Sequence, residues 1–140
     1  MGGAMYAARD LGAGLNNNLL FMEYQREDGR IPGSIAVIDG KVTPQFNKFQ
    51  GFCFPDPALD LYYLAGKDPA YLEKLRRTLQ AFDQYLWRVR DSDGDGCLET
   101  WCKYDTGEDH AMRYEDAPDG WEEETPPQAA ALCPLLPWTL

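Results

Sequence analysis

The stretch from Asp68 to Arg90 constrains the fold of this chain more than any other. Leu72, Leu75, Leu79, Phe82, Leu86 and Val89 recur at steps of three and four, which places them along one side of a helix. Arg76, Arg77, Asp83 and Arg90 fall mostly on the other side. Asp68 is a good N-cap, and Pro69 suits the first helical position, where an N–H would have no intrahelical partner. The expected helix runs from Pro69 to Arg90, and its apolar stripe must lie against other elements. Just ahead, Pro57 to Ala65 reads as a shorter helix ended by Gly66. The short Gly66-Lys67 connection then makes the two an α-hairpin.

The rest of the chain supports a mainly α reading. Leu11, Leu15, Leu19 and Met22 have helical spacing within Tyr6 to Gln25, weakened by Gly12 and Gly14, each of which costs about 1 kcal/mol relative to alanine. A charged turn follows from Gln25 to Gly33, with a helix stop at Gly29 and an extended bias ahead of Pro32. Ser34 to Val42 is β-branched around Asp39-Gly40, consistent with a short hairpin or an extended excursion. Asp91 to Gly96 is a dense turn signal. Residues 97–128 show no clear period but carry aromatic rings and many carboxylates, and such a stretch inside a compact domain is usually functional. Residues 129–140 are apolar and broken by Pro134 and Pro137, which reads as a truncated helix start or an unpartnered tail.

The 140 residues suit a single domain, 1–140, and 44% hydrophobic content is enough for a packed core. Thirteen basic against 23 acidic side chains give a formal net charge of −10. That balance disfavours nucleic acid and anionic membrane surfaces as partners. No apolar run is long enough to span a bilayer. The start lacks a signal-peptide pattern, so a cytoplasmic location with reduced Cys53, Cys97, Cys102 and Cys133 is expected. Zinc is disfavoured, because His110 is the sole histidine and the cysteines follow no zinc spacing.

Two clusters could carry chemistry. Asp91, Asp93 and Asp95 followed by Gly96 resemble the first half of a calcium loop, in which alternating carboxylates converge on one hard cation. The twelfth position of such a loop holds Cys102 where a glutamate is required, although Glu99 could serve. The bland reading is a polar turn in which the aspartates cap backbone N–H groups. The second cluster is Tyr104 to Tyr114. Asp105, Glu108 and Asp109 lie within five residues of one another, and such crowding drives pKa values apart. Any of the three could be an acid that protonates a leaving oxygen, or all could belong to a solvated loop.

The order of these motifs resembles one stretch of the (α/α)6-barrel inverting glycosidases, the clan of trehalases and processing α-glucosidases of the mannosyl-oligosaccharide glucosidase type. Gly29-Arg30-Ile31-Pro32 is similar to the family's GxIP segment. Gln50 stands ten residues before Asp60-Leu61-Tyr62, the spacing of a Gln-Pro-Pro motif, with Gly51-Phe52 replacing the prolines. Arg90 to Gly96 resembles the RDxDGDG turn. Thr106 to Arg113 keeps the Gly, Asp and Arg of a Ser-Gly-Trp-Asp-x-Ser-x-Arg motif, with Glu108 replacing the tryptophan.

Over roughly residues 20–120, the resemblance implies a segment of an (α/α)6 toroid made of helical hairpins with long loops. It implies Asp109 as general acid, Arg113 near the reacting sugar, and Gln50 and Trp101 lining its pocket. The substrate would be an α-glucoside or related oligosaccharide, with no cofactor. The water-activating base of an inverting enzyme, roughly 6.5–9.5 Å from the acid, has no counterpart in these residues. The isolated chain is therefore expected to be inactive, and helix faces left uncovered would favour self-association. The rival readings are a non-catalytic carbohydrate-binding piece and a small helical calcium-binding interaction domain.

Overall fold

The computed structural model describes residues 2–48, 54–105, 112–126 and 133–135. Four α-helices dominate these: α1 (Gly2–Ala7), α2 (Leu11–Glu23), α3 (Pro55–Leu64) and α4 (Pro69–Val89). A hairpin of β1 (Ser34–Ile38) and β2 (Lys41–Gln45) separates α2 from α3. A second small sheet pairs β3 (Leu98–Thr100) with β4 (Cys133–Leu135). Among the described residues, no helix is long and apolar enough to cross a membrane.

The first helix differs from its expected course. Asp10 takes an extended conformation, and its side chain accepts from the Ala13 N–H at 2.9 Å. This capping bond starts α2 afresh and breaks Tyr6 to Gln25 into two helices, because Gly12 and Gly14 offer little propensity to carry one helix through. The chain leaves α2 at Tyr24, one residue short of the expected end at Gln25. The small Gly14 is buried on the same side of α2 as Asn18 and Met22.

Helix α4 starts as its sequence dictates, with the Asp68 carboxylate accepting from Ala70 N–H at 2.9 Å and Pro69 in the first turn. Its buried face is rotated from the leucine stripe. Tyr71, Leu75, Thr78, Phe82, Tyr85 and Leu86 are buried, whereas Leu72 is 39% exposed. Hydroxyl-bearing residues join the core here because their polar ends find partners: Tyr71 donates to the Ala58 carbonyl at 3.1 Å and accepts from Asn18 at 3.4 Å. That chain of bonds ties α2, α3 and α4 together. Helix α3 begins two residues earlier than expected, since Pro55 and Pro57 both fit its first turn. Gly66 and Lys67 turn the chain into α4 with φ of 75° and 64°.

Two apolar clusters divide the helices. Ala7, Met22, Ala58, Leu61, Tyr71 and Leu75 pack around the first half of α4. Ile31, Phe82, Tyr85, Leu86 and Leu98 pack around its second half. In the segment read as a tail, Cys133–Leu135 pairs antiparallel with β3, setting Leu98 opposite Leu135. The residues on either side of that strand lie outside the described residues.

Candidate functional site

The irregular segments gather on the second half of α4. The loop after α2 is pressed against it at Gly29, whose φ is 99° and where a Cβ would overlap the Ala81 carbonyl. Only glycine fits that position. The Gln25 amide donates to the Gly29 carbonyl at 2.7 Å and to the Thr78 carbonyl at 3.0 Å, joining loop to helix. Close by, Gln25, Arg26, Glu73, Lys74 and Arg77 line an open cleft of about 620 Å³.

Arg30 then reaches under the surface. Its side chain is wholly buried and donates to the Phe46, Trp121 and Glu122 carbonyls and to Glu124. Glu124 accepts from Arg26, from Arg30 at 3.1 Å and from the Tyr85 hydroxyl at 2.7 Å. Burial alone would raise the Glu124 carboxyl. The hydrogen bonds from Arg26 and Tyr85, with the charges of both arginines, hold it below its ordinary value. Burial and the Glu124 carboxylate push the Tyr85 phenol up to about 12. With the Trp121 N–H donating to Asn47 at 2.7 Å, residues 121–124 form a strap over this half of α4.

A second knot closes the end of α4. Arg90, also wholly buried, donates to Asp105 Oδ2 at 2.8 Å and lies over the Trp101 ring, 4.1 Å from its centroid. Asp105 also accepts from the Trp101 N–H at 3.0 Å and from the Cys102 thiol at 3.0 Å. Burial and the Asp105 carboxylate push that thiol up to about 12. Of the three carboxylates open to the role of acid, Asp105 is thus a buried acceptor that serves three donors among the described residues. Glu108 and Asp109 lie outside the described residues.

Between Arg90 and β3, the loop brings carboxylate atoms of Asp91, Asp93 and Asp95 within 4.8 Å of one another. One oxygen of each accepts from the loop backbone: Asp91 from Gly96 at 3.3 Å, Asp93 from Asp95 at 3.1 Å, Asp95 from Cys97 at 2.7 Å. Carboxylate oxygens gathered in this way are of the kind a hard cation takes, while the Asp95 side chain is also hydrogen-bonded to the Cys97 thiol. Glu99 turns instead to the Ser92 hydroxyl and the Trp101 indole N–H.

Gln50 and His110 lie outside the described residues. Arg113 falls in a 3₁₀ turn, Met112–Tyr114, and its side chain is not among those described. Trp101, expected to line a sugar pocket, is 0% exposed and supports the Arg90–Asp105 pair. Tyr104 and Trp121 are half-buried, with the Lys48 ammonium 4.7 Å from the Tyr104 ring centre. Glu124 and Tyr85 were not singled out from sequence. Glu124 sits in a run of acids with no periodic signal, and Tyr85 lies beside the leucine stripe. Comparison with protein-family models, with curated proteins and with solved structures returns no match.

Proposed function

We propose that this chain is part of an (α/α)6 glycoside hydrolase acting on α-glucosides or related oligosaccharides. Asp109 would protonate the departing glycosidic oxygen, Arg113 and Gln50 would orient the sugar, and the buried Trp101 would underpin the site. One observation carries this reading. Gly29-Arg30-Ile31-Pro32 and Arg90 to Gly96, far apart in sequence and both resembling the family's motifs, fold onto the same half of α4. Gly29 abuts Ala81, and Arg30 lies 6.0 Å from the Tyr85 ring centre. At the helix end the Arg90 carbonyl accepts from Glu99 at 2.6 Å.

The general acid of an inverting enzyme acts only as the bond breaks. In the full-length protein, Asp109→Asn should therefore abolish α-glucoside hydrolysis while leaving circular dichroism and melting unchanged. Near-normal turnover in that variant removes Asp109 from the mechanism. Binding of short α-glucosides by the full-length wild type without any turnover would favour a carbohydrate-binding piece.

A second reading, a calcium-stabilised loop, is favoured by the convergence of Asp91, Asp93 and Asp95 within 4.8 Å. A cation bound only in the folded state raises stability by about 2.7 kcal/mol at a hundredfold excess over its dissociation constant. Millimolar calcium should then raise the melting temperature, and Asp93→Asn should reduce the rise. A melting temperature indifferent to calcium and chelator excludes the loop as a calcium site.

A further inference from the structure

Asp-Gly occurs five times in this chain, with the aspartate at positions 28, 39, 93, 95 and 119. The step has its own chemistry, because glycine carries no side chain to shield its nitrogen. That nitrogen can attack Cγ of the preceding aspartic acid and close a five-membered succinimide. The carboxyl gives up its hydroxyl and the amide its proton, which leave together as water. Water then reopens the ring at either carbonyl, giving aspartate or its isomer isoaspartate with no net change in mass. Ring closure needs a carboxyl free to swing over the next peptide and a glycine with room to move.

The fold treats the five steps unequally. Asp28 accepts from Arg26 Nε at 3.1 Å and from the Arg30 N–H at 3.2 Å, while the Gly29 N–H donates to the Arg26 carbonyl at 2.9 Å. After α4, Asp93 accepts from the Asp95 N–H at 3.1 Å and Asp95 from the Cys97 N–H at 2.7 Å. Asp119 pairs with Lys103 at 3.4 Å, and a Cβ at Gly120 would lie 2.7 Å from the Asn47 carbonyl. Asp39 and Gly40 differ from all of these. With φ of 50° and 75° they make the exposed two-residue turn that sets Ile38 opposite Lys41. Among the described residues, no hydrogen bond or ion pair holds the Asp39 carboxylate or the Gly40 N–H. A Cβ at Gly40 would meet nothing within 4 Å.

We propose that Asp39 is a self-modification site of this chain, converting slowly to isoaspartate through a succinimide closed by the Gly40 nitrogen, while the fold protects the other four Asp-Gly steps. The isomer routes the backbone through Cβ and Cγ of residue 39, which adds one atom to the turn and leaves the α-carboxylate outside it. A two-residue hairpin turn matches the twist of its strands only at its normal length, so conversion frays the hairpin at Ile38 and Lys41. The far end stays tied by the Gly33 N–H, which donates to the Gln45 carbonyl at 3.0 Å.

Ageing the intact chain for several weeks near neutral pH and body temperature, then digesting it with trypsin, tests the proposal. Cleavage after Arg30 and Lys41 isolates residues 31–41, in which Asp39 is the one aspartate. Asp28 falls in 27–30, Asp93 and Asp95 in 91–103, and Asp119 in 114–140. Isoaspartate is read as an equal-mass peptide of shifted retention that accepts a methyl group from an isoaspartate-specific methyltransferase. Residues 31–41 should convert at least about fivefold faster than the other peptides in the folded chain, since the tip opens locally at little cost. In urea the gap should close, because only the shared Asp-Gly sequence remains. Gly40→Ala places a methyl beside the attacking nitrogen and should suppress conversion, with circular dichroism verifying that the variant is folded. Failure of 31–41 to convert, or conversion no faster than in the other peptides, overturns the proposal. So does a lead that persists undiminished in urea, or conversion that ignores Gly40→Ala.

Discussion

Arg90 and Asp105 form an ion pair at 2.8 Å whose side chains are 0% and 1% exposed. Removing one charge from such a pair leaves the other stranded away from water, at a cost of about 3–5 kcal/mol. Asp105→Asn is therefore expected to destabilise the chain by that amount in urea unfolding. Arg90→Met combined with Asp105→Leu should cost less than the sum of the two single changes, since no lone buried charge remains.

A second expectation concerns glycine. Gly29 and Gly40 both have positive φ, but a Cβ at Gly29 would meet the Ala81 carbonyl while one at Gly40 would meet nothing within 4 Å. Gly40→Ala should show only the conformational penalty of about 1–2 kcal/mol. Gly29→Ala must also push the loop off α4, so its loss of stability in thermal unfolding should exceed that of Gly40→Ala.

The contrast shows what was legible in the sequence. Local rules carried the start of α4 at Asp68-Pro69, the Asp39-Gly40 hairpin and the Gly66-Lys67 turn, because each depends on a few adjacent residues. The break at Asp10 was hidden, since a capping aspartate competes with a helical pattern that looks continuous. Tyr71, Thr78 and Tyr85 were missed on the buried face because their inclusion depends on distant partners, such as the Ala58 carbonyl and Glu124. The candidate site divided in the same way. The Arg90 to Gly96 turn could be seen as a motif, but its link to Asp105 and Trp101 exists only in three dimensions.

Cys102 provides a chemical test of the second knot. Its thiol sits 3.0 Å from Asp105 Oδ1 and is pushed up to about 12 by burial and by that carboxylate. Nucleophilic attack requires the thiolate. Site-resolved alkylation with iodoacetamide near pH 8 should leave Cys102 unmodified in the folded chain and modify it in urea. The stability linked to this thiol is fully present below the ordinary value of 9.0 and declines as pH rises through about 12. Rapid alkylation of the folded chain would show that the Asp105 knot is open in solution.

The strap responds to pH in the opposite sense. The Glu124 carboxyl is held below its ordinary value of 4.5 despite its burial, because Arg26, Arg30 and Tyr85 all converge on the charged form. A depressed folded-state pKa stabilises the fold fully above 4.5 and loses that contribution as pH falls through the lower value. Amide exchange, corrected for its intrinsic pH dependence, should show protection of residues 120–124 falling in that acid range ahead of the α4 core. Asp28 also pairs with Arg26 and is likewise held low, so acid acts on both partners of that arginine. Glu124→Gln separates them: the strap should already be less protected at neutral pH, and its further loss in acid should shrink. An unchanged acid profile in Glu124→Gln would assign the response to Asp28 rather than to the clasp between Glu124, Arg30 and Tyr85.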